Sequence, residues 1–123
     1  MKNVFISCRI RGDTQANLWD AEKYYRFAVE QGVAPLMPHL VLASGVLEDA
    51  IPEQRSMGLQ ICKSILRKAD ELWAIFDPAE GPSEGMKGEI CLAMEEGIPV
   101  ILMARSHVLA DLKGADYDVT ASN

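Results

Sequence analysis

Residues 69–100 read ADELWAIFDPAEGPSEGMKGEICLAMEEGIPV, and the order of apolar and turn-forming residues in this stretch decides the fold. Leu72 to Phe76 is a short apolar run with two aromatics, the pattern of a strand covered on both faces. Asp77 and Pro78 stop it, and a loop rich in Gly, Pro, Ser and Glu runs to Gly85. Ser83 is placed to cap a helix that extends to Glu96, which Gly97 closes. Pro99 opens a second apolar strand, Val100 to Met103, where its missing N–H costs no ladder bond.

Within that helix Met86, Ile90, Ala93 and Met94 recur at helical spacing. Taken as the packed stripe, they put Glu89 off the face that meets the sheet. Glu89 stands near the amino end, beside Gly85 and Gly88, where the helix dipole favours an ionised carboxylate. A carboxylate so held at the mouth of a sheet can attack an electrophilic sugar carbon. Spacing alone fits a solvated helix glutamate better.

Toward the amino terminus, Val4 to Ser7 forms a first strand that breaks into Ser7–Thr14. Gly12 and Asp13 are turn formers, and Asp13 or Thr14 can cap the following helix, which runs to about Gln31. Leu18, Ala21, Tyr25, Ala28 and Val29 mark its packed face, with Tyr24 and Tyr25 as core and rim. Strand, glycine-containing turn and helix N-terminus together form an anion site, and Arg9 and Arg11 add two guanidinium forks suited to phosphate. This is neither GxGxxG nor a P-loop, and a solvated turn fits the residues about as well. Cys8 reads as a buried filler at the strand end.

Val33 to Met37 is a short strand interrupted by Pro35, hence an edge. Pro38 and His39 follow at its end. Leu40 to Glu48 fits a short helix or an irregular lid. Pro52 opens a longer helix with Met57, Ile61 and Ile65 in one row. A short helix is expected around Val108 to Lys113, followed by a polar end.

The alternation of strands and helices predicts an α/β domain over residues 1–123. Its architecture is a doubly wound, flavodoxin-like or Rossmann-like parallel sheet of four to five strands, with helices on both faces. Ligands of such sheets bind beyond the carboxyl ends of the strands. Three loops leave those ends: Ser7–Thr14, Pro38–His39 and Asp77–Gly85. The arginines, His39, Ser83 and Glu89 therefore converge. The chain has 123 residues, 49% hydrophobic content and net charge −6, which argues against a duplex nucleic-acid or anionic-membrane partner. No apolar run spans a membrane and no signal pattern is present. Three scattered cysteines fit a reduced, cytoplasmic setting, and no His/Cys/carboxylate spacing suggests a metal.

With these residues placed, the chain resembles the nucleoside 2-deoxyribosyltransferase superfamily, and among its enzymes the 2′-deoxynucleoside 5′-phosphate N-hydrolases. Their first-loop Ser-Ile-Arg-Gly run is matched by Arg9-Ile10-Arg11-Gly12. Their Pro-Ser, glycine-rich run and glutamate are matched by Pro82-Ser83-Glu84-Gly85-Met86-Lys87-Gly88-Glu89. The Ala-Asp ahead of their third strand is Ala69-Asp70. The chain also resembles, over nearly its whole length, phage and mobile-element proteins of unknown function. The enzyme resemblance implies Glu89 as nucleophile. It implies Ser7, Arg9, Arg11, Gly12, Asp13, Ser83, Gly85 and Met86 around a nucleotide, with the Arg11 loop and Ser83 on its 5′-phosphate. It further implies a small-molecule nucleotide partner, no cofactor and a homo-oligomer.

One departure stands out. The hydrolases carry an aspartate about two helical turns before Ala-Asp that helps protonate the leaving base; here that neighbourhood is Ile61 and Cys62. Asp77, Asp70 and His39 are the groups left to supply the proton, although Asp70 fits a cap of the preceding segment slightly better. The expected function is cleavage or transfer of the base–sugar bond of a nucleoside 5′-monophosphate. The alternative is a nucleotide-binding or sequestering module without that chemistry.

Overall fold

Period-two alternation in β1 (Asn3–Ser7) and β3 (Glu71–Phe76) sorts the core into two layers in the computed structural model, which describes residues 1–12, 14–41 and 45–112. β2 (Ala34–Leu36) and β4 (Val100–Ala104) flank them, and all four strands run parallel in the order β2-β1-β3-β4. Val4, Ile6, Trp73 and Ile75 point to one face, where α1 (Thr14–Glu30) and α5 (Arg105–Asp111) supply Ala21, Tyr24, Phe27, Ala28 and Val108. Phe5, Leu72 and Ala74 point to the other, where α3 (Pro52–Leu66) and α4 (Glu84–Glu95) supply Leu66, Met86 and Ala93. A three-layer α/β sandwich results. Strand order reverses between β1 and β3, so their carboxyl ends open a crevice at the switch point.

Several expectations hold in detail. Pro35 sits in edge strand β2, and Tyr24 is buried while Tyr25 is exposed. Gly97, at φ +72°, ends α4. There the N–H of Ile98 reaches the carbonyl of Ala93 at 2.8 Å, and that of Gly97 reaches Met94 at 3.2 Å. This double closure stops the helix and turns the chain into β4.

Others are corrected. The packed row of α1 is Ala21, Tyr24, Phe27 and Ala28, while Val29 is exposed. Met94 is 69% exposed and lies outside the α4 stripe. In α3 only Leu66 is buried, and Met57 is exposed rather than leading a core row. The one-turn helix α2 (Pro38–Val41) reaches only the first two residues of the 40–48 stretch, of which 42–44 lie outside the described residues. So do Asp13, with its expected cap and anion-binding role, and the tail from Lys113. No helix among the described residues is long and apolar enough to cross a membrane.

Candidate active site

Ser83 fixes where α4 begins. Its backbone is extended and its hydroxyl accepts the N–H of Met86 at 3.3 Å, satisfying one of the helix's free donors. Met86 then anchors the first turn in the core beside Phe5 and Leu72. Three residues on, Glu89 comes around to the same side and meets the end of β1. Ser7, the last residue of that strand, is wholly buried. Its hydroxyl donates to Glu89 Oε1 at 2.6 Å.

Glu89 is therefore half-buried and turned inward, not off the packed face. Its protonation differs from expectation too. Burial pushes the carboxyl up to about 7, and the Ser7 hydrogen bond, which favours the charged form, offsets only part of that. The helix dipole does not rescue ionisation because its influence fades beyond the first turn, and Glu89 sits in the second turn of α4.

Two thiols and an imidazole lie on the neighbouring elements. Burial and the Glu89 charge together raise Cys62, on α3, to about 11. Cys62, rather than a carboxylate, is thus the group that α3 presents near Glu89. Cys8 is buried and driven up to about 12, chiefly by desolvation and then by Glu89 and Asp20. It is the inert filler its position suggested. His39 Nε2 lies 3.7 Å from Cys8 Sγ, and the ring tilts against Phe5 with centroids 6.0 Å apart. Burial lowers His39 to about 4, and its Nδ1 is a buried atom without a hydrogen-bond partner among the described residues. At neutral pH this imidazole is uncharged.

The arginine turn is closed onto α1 by Asn17, whose amide donates to the carbonyls of Ile10 (3.2 Å) and Arg11 (2.9 Å). Gly12 bends it at φ +96°. Both guanidinium groups are held by surface carboxylates: Arg11 by Asp49, and Arg9 more loosely by Glu80 at 3.9 Å. Beside the turn opens a cleft of about 450 Å³, whose walls include Arg9, Arg11, Gly12, Asp77 and Arg105. Asp77 lies at its rim, where its carboxylate accepts the N–H of Ala79 at 2.9 Å and its carbonyl closes the loop to Gly81.

The structure thus brings Ser7 and Glu89 together at the root of the arginine turn, and gathers Arg9, Arg11, Gly12 and Asp77 around the adjoining cleft. Glu89 itself does not line that cleft. Gly85 is exposed, and a side chain there would meet nothing within 4 Å, so the amino end of α4 is open to a ligand. Two expected site residues fall away. The Met86 side chain is 1% exposed in the core, leaving only its N–H at the surface of the site, already engaged by Ser83. Asp70 precedes β3 and accepts the N–H of Asn3 at 2.8 Å, at the amino end of the sheet. Four residue steps along β1 carry the chain from Asn3 to Ser7, about 13 Å, so Asp70 ties strands together and does not reach Glu89.

Sequence reasoning missed the pairing of Ser7 with Glu89. It also missed the group on the α1/α5 side of the cleft. There Arg105 donates twice to Asp20 Oδ2, from Nε at 3.1 Å and Nη2 at 2.9 Å, and interacts electrostatically with Tyr24. The available signal for Arg105 was its place directly after the last apolar strand, at the carboxyl edge where such sheets bind ligands. Among the described residues no group of three His, Cys, Asp or Glu could hold a metal ion.

Residues 2–103 match the family model described as a domain of unknown function, DUF7768. The chain belongs to the DUF7768 family. No curated protein matches it. Among solved structures, this DUF7768 domain is similar to a 2-deoxyribosyltransferase from Bacillus psychrosaccharolyticus, with 17% identity and TM-score 0.61 over 83% of this chain and 72% of that one. It is similar to a 2-deoxyribosyltransferase from Leishmania mexicana, with 18% identity and TM-score 0.54 over 85% of this chain and 65% of the other. A third likeness is to FerB, a flavoenzyme NAD(P)H:(acceptor) oxidoreductase from Paracoccus denitrificans, with 15% identity and TM-score 0.51 over 94% and 72%. At these identities the likeness establishes the α/β fold of the DUF7768 chain. Because that fold serves both glycosyl and redox chemistry, function has to be argued from the site.

Proposed function

We propose that the protein cleaves or transfers the N-glycosidic bond of a nucleoside 5′-monophosphate or a related nucleotide, with Glu89 as nucleophile. The observation that supports this most is the buried Ser7 hydroxyl bound at 2.6 Å to a carboxyl that burial holds near neutrality, at the carboxyl end of β1. In this reading the ionised Glu89 attacks C1′. The C1′–N bond breaks, its electron pair leaves with the base, and the base takes up a proton. Water or a second base then displaces the carboxylate from the sugar. The 5′-phosphate would take the places that Asp49 and Glu80 now hold on Arg11 and Arg9, a carboxylate and a phosphate being alternative partners for a guanidinium fork. The Ser83 hydroxyl, whose oxygen caps α4, would donate its O–H to the same group.

The pH dependence follows from Glu89. Only the ionised form attacks, so kcat/KM should rise about tenfold per pH unit well below 7 and level off above it. Ser7→Ala removes the hydrogen bond that favours ionisation, so its profile should be displaced to higher pH with a similar plateau. A profile that does not move would remove Ser7 from the mechanism. Incubation with a panel of nucleoside monophosphates, with free base as the readout, tests the activity itself.

A second reading, a nucleotide-binding module without turnover, is favoured by one observation: among the described residues no second carboxyl group interacts with Glu89. Cys62 stands on that side, His39 is uncharged, and Asp77 is exposed at the cleft rim. Tight binding of a monophosphate without base release would select it.

A further inference from the structure

The two edges of the sheet are treated very differently by the sequence. β2 is three residues long and carries Pro35, two devices that discourage a further strand. β4 has neither. Val100–Ala104 reads VILMA, with no charge and no proline, and Ile101 and Leu102 are 40% and 62% exposed on opposite faces. Among the described residues no strand pairs with this edge, and an apolar edge of this kind is a template for strand pairing.

The register identifies which backbone groups face outward. Leu72 lies opposite Val100, and its N–H donates to the Pro99 carbonyl at 2.9 Å. In a parallel ladder the residues flanking the opposed one, 99 and 101, then bond to β3, and 103 continues the alternation. Val100, Leu102 and Ala104 are left with their N–H and C=O groups directed away from the sheet.

We propose that β4 pairs antiparallel with β4 of a second copy of this chain, about a two-fold axis through Leu102, making one continuous eight-stranded sheet. The dyad sets Leu102 opposite itself and Val100 opposite Ala104 as hydrogen-bonded pairs, using every outward-facing group once. Ile101 then lies beside Met103 of the other copy on the α1/α5 face, and the two Leu102 side chains cover each other on the α4 face. Charge fits this arrangement. Antiparallel docking keeps Glu95 and Glu96 of one copy away from those of the other, at opposite ends of the seam, and Glu96 and Arg105 are already neutralised by Arg67 and Asp20. A strand supplied in cis is disfavoured by handedness. β3 reaches β4 through α4 on one face, whereas α5 packs on the other, with α1. A parallel strand reached through α5 would need the left-handed crossover that parallel sheets almost never use.

Sedimentation and cross-linking test this. Wild-type protein should sediment as a dimer at high micromolar concentration, and Leu102→Lys, which places a charge on an already exposed position, should be a folded monomer by circular dichroism and sedimentation. In a Cys91→Ser background, Leu102→Cys should oxidise to a disulfide-linked dimer, because hydrogen-bonded antiparallel partners have Cα atoms about 5.5 Å apart. Ile101→Cys should not, its neighbour being Met103. A wild-type monomer, a dimer indifferent to Leu102→Lys, or cross-linking at 101 in place of 102 would each overturn the proposal, and none depends on whether the protein has glycosyl activity.

Discussion

Glu89→Gln is expected to abolish base release and, at the same time, to stabilise the fold at alkaline pH. The amide is nearly isosteric and can still accept from Ser7, but it cannot attack C1′. The stability effect comes from linkage. An unfolded glutamate titrates near 4.5, and in the folded chain the carboxyl is raised to about 7. A raised carboxyl binds its proton more tightly in the folded state. Its ionisation therefore begins to oppose folding as pH climbs past 4.5, and the penalty is complete above 7. Its ceiling is about 3 kcal/mol, from 1.36 kcal/mol per pKa unit, and the partial exposure of Glu89 makes the real value smaller. Wild type and Glu89→Gln should unfold at similar temperatures at pH 4, and the variant should melt as much as about 10 °C higher at pH 8. Equal melting temperatures across the range would mean that Glu89 is not desolvated.

The second large effect concerns Cys62. Electrostatic coupling to Glu89 puts its thiol in that carboxyl's neighbourhood, where the resemblance implies an aspartate, and at about 11 it is a poor proton donor at neutral pH. Cys62→Asp would put two carboxyl groups in one half-buried site. Like charges that close cannot both ionise freely, so one retains a proton and serves as acid while the other serves as nucleophile. General-acid assistance is worth roughly 10²- to 10⁴-fold, and base release by Cys62→Asp should exceed wild type by about that factor. Unchanged release from a folded, nucleotide-binding variant would show that protonation of the leaving base does not limit the reaction.

Much of this architecture was legible before any coordinates. Leu72–Phe76 and Val4–Ser7 are runs too continuous for anything but buried parallel strands, and Pro35 marked its strand as an edge. Ser83 and Gly97 marked the two ends of α4, as the cap and the double closure bear out. What was missed was missed for a physical reason. A stripe of α4 traced through apolar residues alone omits Glu89, which stands three residues after buried Met86 and four before buried Ala93. It belongs to the buried row, and only the arrival of Ser7 beneath it makes that tolerable for a carboxyl. Asp20 escaped notice in the same way, one helical turn before buried Tyr24 on α1. Asp70 erred in the opposite sense: chain order placed it next to a functional strand, but at the end of the sheet where parallel strands begin.

The central claim is that Glu89 forms a bond to a sugar. Intact-mass and peptide mass spectrometry of protein quenched during turnover of a 2′-deoxynucleoside 5′-monophosphate tests it most directly. The account predicts an added deoxyribosyl phosphate on the peptide carrying Glu89, absent from Glu89→Gln. Base release with no such adduct, or undiminished release by Glu89→Gln, would contradict it.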